Sequence, residues 1–403
     1  MTNQKSLRYV TFALLYFSQG SILGYFTALN ALYLQSFKIP LSLIGILGTI
    51  AMIPFVLKIF LGMLSDRYNF FQLGHRKPYI VIGLLIQMVC LLIIPSVKPD
   101  QQFWLFVGIA FLLQTGMALY DTCTDGLALD TTPKQEEGTV QGFMVGGRAL
   151  GVIMAGGIGL IAQNISWQMA FFSLVILTLL PLPLVLFSNR EPPKTIEHRF
   201  DWRAFSAFGK RSVLALGAFG ALYSLLINGT NQLVNPFLSE TFGISLATAG
   251  IITTTWGIGV VLGGMTGGKV VDRIGHRRSA TWAMNLAFAA IFLISLIFKP
   301  SLVWVLVPLF GLAYGYYETV YFASSMQIVD LRIAASMFAI LMAIANIGTG
   351  IGLGLAGILA DTIGFRLTFV VLAAMNFLVL PLLPIIFPQE QKPPLLTQTT
   401  ASD

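Results

Sequence analysis

Five charged side chains, Lys58, Asp121, Asp125, Arg148 and Glu318, interrupt long apolar stretches of this sequence. A charge at hydrocarbon depth costs about 2.5 kcal/mol or more, so it persists only when paired or opened to an internal aqueous cavity. Such groups can pair with each other, bind an anion or exchange a proton. A guanidinium matches a carboxylate or phosphate with two parallel N–H donors. A carboxylate shielded from water can hold a proton near neutral pH.

Helical rise places these groups in depth. Lys58 lies eight residues before Asp66, and Asp121 nine before Asp130. Those separations are roughly 12 and 14 Å; Arg148, nine residues into its own helix, lies at roughly 14 Å. Asp125 follows Asp121 by one turn. Two cations and two anions therefore share one layer in the first half of the chain, as low dielectric demands. They form a closed structural network, or Arg148 or Lys58 is released to an anionic solute while an aspartate exchanges a proton. Both readings can hold at different stages. Glu318 is the one deep charge of the second half, roughly 18 Å from Asp330. It is protonated and bonded to Tyr314, Tyr317 or a backbone carbonyl, or it meets a cation across a cavity. That makes it the third candidate for proton coupling, with Asp121 and Asp125. Tyr316, Tyr317 and Tyr321 are candidate cavity residues. So are Asn228, Asn231, Gln232 and Asn235, of which the three asparagines share one helix face.

The elements that carry these groups follow from composition. The 403 residues are 56% hydrophobic and 10% charged, where a soluble domain has about 25% charge. The chain reads as an all-α polytopic membrane protein. A spanning helix needs roughly 20 apolar residues, and the sequence predicts twelve, near 9–32, 42–65, 78–97, 102–130, 139–163, 167–188, 212–238, 245–271, 279–298, 302–330, 333–360 and 366–387. The alternating segments of a membrane barrel do not occur. With both termini cytoplasmic, 18 Lys and Arg fall in inner segments and 4 in outer loops, as the positive-inside rule requires. The basic loops then face anionic lipid headgroups and need no nucleic acid. Cys90 and Cys123 lie inside predicted helices and read as buried apolar residues. The first apolar run reads as a helix, not a removed signal peptide. His75, His198 and His276 all fall in polar segments. No hydrolase triad, metal cluster or cofactor motif emerges, so an enzyme is not expected.

The polar stretch 189–211 divides the chain into an N-terminal bundle, 1–188, and a C-terminal bundle, 212–388, followed by a disordered tail, 389–403. Within the linker, Trp202, Phe205 and Phe208 recur every third residue, which suits a short interfacial helix or a plain loop. The halves repeat. Gly62-Met63-Leu64-Ser65-Asp66-Arg67 returns as Gly268-Lys269-Val270-Val271-Asp272-Arg273, and Gly74-His75-Arg76-Lys77 as Gly275-His276-Arg277-Arg278. A second echo links Gly159–Gln168 with Gly357–Arg366. Internal duplication marks secondary transporters with a midplane site between the repeats.

The Gly-x-x-x-Asp-Arg…Gly-His-Arg-Lys loop resembles the major facilitator superfamily signature, here in both halves. The resemblance implies two six-helix bundles that rock around a central site. It also implies a cytoplasmic gate of Gly62, Asp66, Arg67, Arg76, Asp130, Gly268, Asp272, Arg273 and Arg277. Asp66 would meet the start of the eleventh helix near Ala334–Ser336, and Asp272 the start of the fifth near Thr139–Gln141. The first loop departs from the pattern by five extra residues within Tyr68–Leu73, which leaves open whether Arg67, Arg76 or Lys77 is the loop cation. The glycine runs of the fifth and eleventh helices permit close packing and place these helices against each other or the cavity. Lys58, Asp121-x-x-x-Asp125 and Gly147-Arg148-Ala149-Leu150-Gly151 resemble the branch of muropeptide permeases, acetyl-CoA transporters and folate–biopterin transporters. Gly74-His75-Arg76-Lys77-Pro78-Tyr79 is also similar to glycoside–cation symporters and pigment-delivery proteins.

The expected function is proton-coupled transport of an organic, possibly anionic solute by alternating access. Arg148, Lys58, Asn228, Asn231, Tyr317 and Tyr321 are the solute candidates. The expected setting is a monomer in the inner or plasma membrane, with lipids as partners and no cofactor or metal. The alternatives are a non-transporting carrier or assembly factor of the same fold and a drug exporter.

Overall fold

The computed structural model describes residues 2–39, 41–70, 74–187, 201–244 and 246–388. Residues 188–200 of the predicted linker region and the tail 389–403 lie outside the described residues. Among the described residues every regular element is helical. The α-helices are α1 Thr2–Gly24, α2 Asn30–Ser36, α3 Leu41–Arg67, α4 Lys77–Ile93, α5 Phe103–Thr131, α6 Glu137–Asn164, α7 Trp167–Leu179, α8 Leu182–Phe187, α9 Arg211–Phe242, α10 Leu246–Ile274, α11 His276–Ser295, α12 Val303–Ile328, α13 Ala334–Met375 and α14 Leu383–Ile386. Nine helical stretches among the described residues are long and apolar enough to cross a membrane.

The predicted helices merge and divide at identifiable residues. A π-helical turn, Tyr25–Leu29, joins α1 to α2. α13 runs through two predicted segments, but Gly364 inside it has φ 78° and ψ 162°. That left-handed φ is open to glycine without strain, and it breaks the rod where the sequence separates two spans. Trp202–Gly209 forms a 3-10 helix with Trp202, Phe205 and Phe208 stacked in succession.

Packing follows the repeat. In the first half α1 lies on α6, and α5 on α3 and α4; in the second α9 lies on α13, and α12 on α10 and α11. Contacts between the halves run from α6 to α10 and from α3 to α13. The glycine runs make the close approaches. Gly147 and Gly151 meet the backbone of α1, while Gly348 and Gly352 meet the backbone of α9. These runs of α6 and α13 therefore do not face each other, as one reading of the sequence had it; each lines a contact with a different helix.

Between the halves, the backbone of Gly138 approaches that of Gly268 closely. A Cβ at Gly268 would stand 2.1 Å from the Gly138 carbonyl oxygen, and backbone cannot move aside as a side chain can. Gly268→Ala should therefore lower the melting temperature of the purified protein by several degrees. Gly350→Ala, with nothing within 4 Å of its Cβ, should leave it equal or slightly raised through helix propensity.

Candidate functional site

One end of the molecule is tied shut by two aspartates that serve helices they do not belong to. α6 and α13 begin without a side-chain cap of their own, and each leaves backbone N–H groups unserved. Asp272, at the end of α10, accepts from the N–H of Gly138 and Thr139 at 2.8 Å each and from the Thr139 hydroxyl. Asp66, at the end of α3, accepts from the N–H of Ala335 at 3.4 Å, the N–H of Ser336 at 3.0 Å and the Ser336 hydroxyl at 2.7 Å. A carboxylate at a helix N-terminus also meets the positive end of the macrodipole.

The two ties differ in what stands behind them. Arg76 is fully buried and donates to Asp66 at 2.6 Å, Ser65 Oγ at 2.6 Å and Asp130 at 2.8 Å. The loop cation of the first half is therefore Arg76, not Arg67, which is exposed over the Tyr68 ring. In the second half Arg277 makes no ion pair among the described residues. Asp330 instead binds its near neighbour Arg332, which also reaches Asp201 at 3.5 Å. Outside the spans, those Arg332 hydrogen bonds hold the Asp330 carboxyl below its usual range.

The charged layer does not pair as one set. Lys58 meets Asp121 at 3.4 Å, and Gln19 donates to the same carboxylate at 2.7 Å. Asp125 accepts from the Tyr16 hydroxyl. Arg148 forms no ion pair with either aspartate and pairs with Glu318 of the second half. The members of the expected first-half network are thus divided among three separate pairings, and Glu318 meets its cation across the halves. Tyr16 and Gln19 escape a search for charge. Their trace in the sequence is two polar groups three residues apart in the first apolar stretch.

The Arg148–Glu318 pair lies in the wall of a cavity of about 1440 Å³. The cavity runs to Pro236, Ser239 and Ile244, at the end opposite the two aspartate ties. Asn228 and Asn231 line it, together with Trp256, Asn346 and Thr349, which charge and spacing did not single out. Asn228 is already committed. It accepts from the Tyr314 hydroxyl at 2.9 Å and donates to Ser224 O at 2.9 Å and Thr349 Oγ1 at 3.1 Å. Lys58, Tyr317 and Tyr321 are not in the cavity wall. Tyr321 donates to Leu341 O at 2.9 Å, and Tyr317 packs with Phe219 and Tyr223. The two tyrosines pack in the core between α9 and α12, and Lys58 is turned to Asp121, so none of these three sequence candidates lines this cavity. Among the described residues no cluster of His, Cys, Asp and Glu could hold a metal, and the two buried cysteines form no disulfide.

Described residues that are all helical in their regular elements, spanning segments, repeated helix ties and a cavity between the halves have the architecture of a membrane transporter. The chain belongs to the Major Facilitator Superfamily, whose family description matches residues 10–234 and 217–401. It is 23% identical over 373 residues to the putative transporter AmpG 2 of Rickettsia typhi, covering 89% of this chain and 88% of that one. It is 25% identical over 247 residues to the sialic acid transporter NanX of Escherichia coli, covering 59% and 57%. A folate-biopterin transporter of Arabidopsis thaliana, described as probable, is 29% identical over 168 residues, covering 40% and 38%. The solved Escherichia coli fucose:proton symporter FucP superposes with a TM-score of 0.76 at 15% identity, covering 94% of this chain and 98% of that one. The human organic anion transporter MFSD10 gives 0.73 at 12%, with the same coverage. At those identities the structures share the fold. The family and its relatives make this a multi-pass membrane transporter, not an enzyme.

Proposed function

We propose that the chain is a secondary active transporter for an organic anion, coupled to protons and working by alternating access. The observation that carries this reading is the Arg148–Glu318 pair in the wall of the cavity between the halves. With Glu318 this guanidinium makes one contact, from Nη2 to Oε2, and to a solute carboxylate or phosphate it can offer two parallel N–H donors. A solute anion that displaces Glu318 releases one end of the only ion pair in that wall among the described residues. Asn231 and Asn346 add neutral donors and acceptors beside it. The aspartate ties hold the opposite end shut, and inward movement breaks them, which makes them the cytoplasmic gate. In this reading the apolar segments make twelve spans in two six-helix bundles, 1–188 and 212–388. Both termini are cytoplasmic, and the protein is a monomer in the inner or plasma membrane. The similarity to a sialic acid transporter supports an acidic solute.

The test is a thermal-shift screen of the purified protein against peptides, sugar phosphates, nucleotides, pterins and carboxylates, repeated on Arg148→Ala. A binding anion should raise the melting temperature by mass action and lose that effect in the variant. A panel in which only uncharged compounds stabilise, equally in both proteins, rejects the anion reading.

A further inference from the structure

The charged layer does not balance. It holds the cations Lys58 and Arg148 and the carboxylates Asp121, Asp125 and Glu318. Lys58 meets Asp121 and Arg148 meets Glu318. Asp125, 3% exposed, lies in no ion pair among the described residues, and its one hydrogen-bond partner is the neutral Tyr16 hydroxyl. The ionisable groups that act on it are Tyr16 from α1, Lys58 from α3, Arg148 from α6 and Asp121 from α5 itself. A third carboxylate in this layer needs a third positive charge, because an uncompensated buried charge is far costlier than a paired one.

That charge is a proton or a small metal cation. Two further observations separate them. Lys58 sets a tethered ammonium against Asp121, one turn from Asp125, where a metal ion shared by the two aspartates would need both carboxylates. Gln19, 8% exposed and one turn from Tyr16 on α1, spends its Nε2 on Asp121 and leaves its Oε1 buried without a donor. A protonated carboxyl brings an O–H into the cluster, and a bare carboxylate brings none.

We propose that Asp125 is the site of the coupling proton, and that Lys58 is what makes the coupled ion a proton and not sodium. Binding converts the Asp125 carboxylate to the carboxylic acid and brings the layer to neutrality; release restores one negative charge. This inference rests on the reading of the chain as an ion-coupled transporter. It specifies which of the three candidate acids takes the ion.

Two measurements on the purified full-length chain test it, and neither uses a solute, so their failure and that of the anion reading stay distinguishable. Infrared difference spectra between acid and alkaline pH should show a buried carboxylic-acid band that is lost in Asp125→Asn and kept in Asp121→Asn. Retention of that band in Asp125→Asn overturns the assignment. Melting temperatures in sodium chloride and in choline chloride should agree for the native chain. Lys58→Gln should become several degrees more stable in sodium, because it leaves two carboxylates and one opening for a cation. A native chain stabilised by sodium, or a folded Lys58→Gln indifferent to it, overturns the role of Lys58. Should Lys58→Gln not fold, Lys58→Arg answers the same question. It keeps the tethered charge and should remain indifferent to sodium, and a sodium response in it overturns the proposal.

Discussion

Arg76→Ala should cost about 3–5 kcal/mol, the largest loss expected from any single truncation in the chain. The guanidinium is fully buried and holds Asp66, Ser65 and Asp130 at once. Its removal strands two carboxylates, and Asp66 is also the tie to α13. A helix start and a junction between halves are therefore weakened with one side chain. Melting of the purified protein, followed by intrinsic fluorescence, should show Arg76→Ala unfolding many degrees early. Arg76→Lys should recover only part of the loss, since one ammonium cannot reproduce a planar fork with three acceptors. Arg67→Ala should stay within about 0.5 kcal/mol of the native protein, because Arg67 is exposed and surface changes are mild. Equal melting of Arg76→Ala and Arg67→Ala would remove Arg76 from the gate.

The second large effect belongs to Arg148. Arg148→Gln should weaken binding of an anionic solute by roughly 10- to 100-fold, the range of one charge-assisted hydrogen bond. It should also destabilise the protein by leaving Glu318 buried beside a neutral amide. Adding Glu318→Gln should restore the melting temperature and leave binding weak, because the stranded charge is gone and the anion still has no cation. Adding Asp125→Asn instead should restore neither, since Asp125 binds Tyr16 and not Arg148. The double-mutant cycle isolates the pair from its surroundings. Recovery of stability by Asp125→Asn in place of Glu318→Gln would reverse the pairing.

The sequence by itself determined class, repeat and which charges interrupt the apolar stretches. A low charged fraction with long apolar stretches permits only spanning helices, because backbone polar groups in lipid must be satisfied within the segment. The duplicated Gly-x-x-x-Asp-Arg loops set Asp66 and Asp272 at equivalent helix ends, and the resemblance they carry named the helix starts that these aspartates now serve. Height along each helix was legible too, since rise per residue is constant. Rotation and partner were not. Arg148 and Asp121 share a depth, yet the side chain of Arg148 leaves its own half for Glu318, a choice made by how α6 packs against α10 and α12. Tyr317 and Tyr321 share a helix with Glu318 but turn into the core, as no count of polar residues can show. The loop cation likewise waited on the fold. Arg67 and Arg76 are alike in type and near in sequence, and only burial of one against Asp66 and Asp130 shows which stands behind the tie. Spacing along one helix is local geometry, whereas a partner across two helices is decided by their packing.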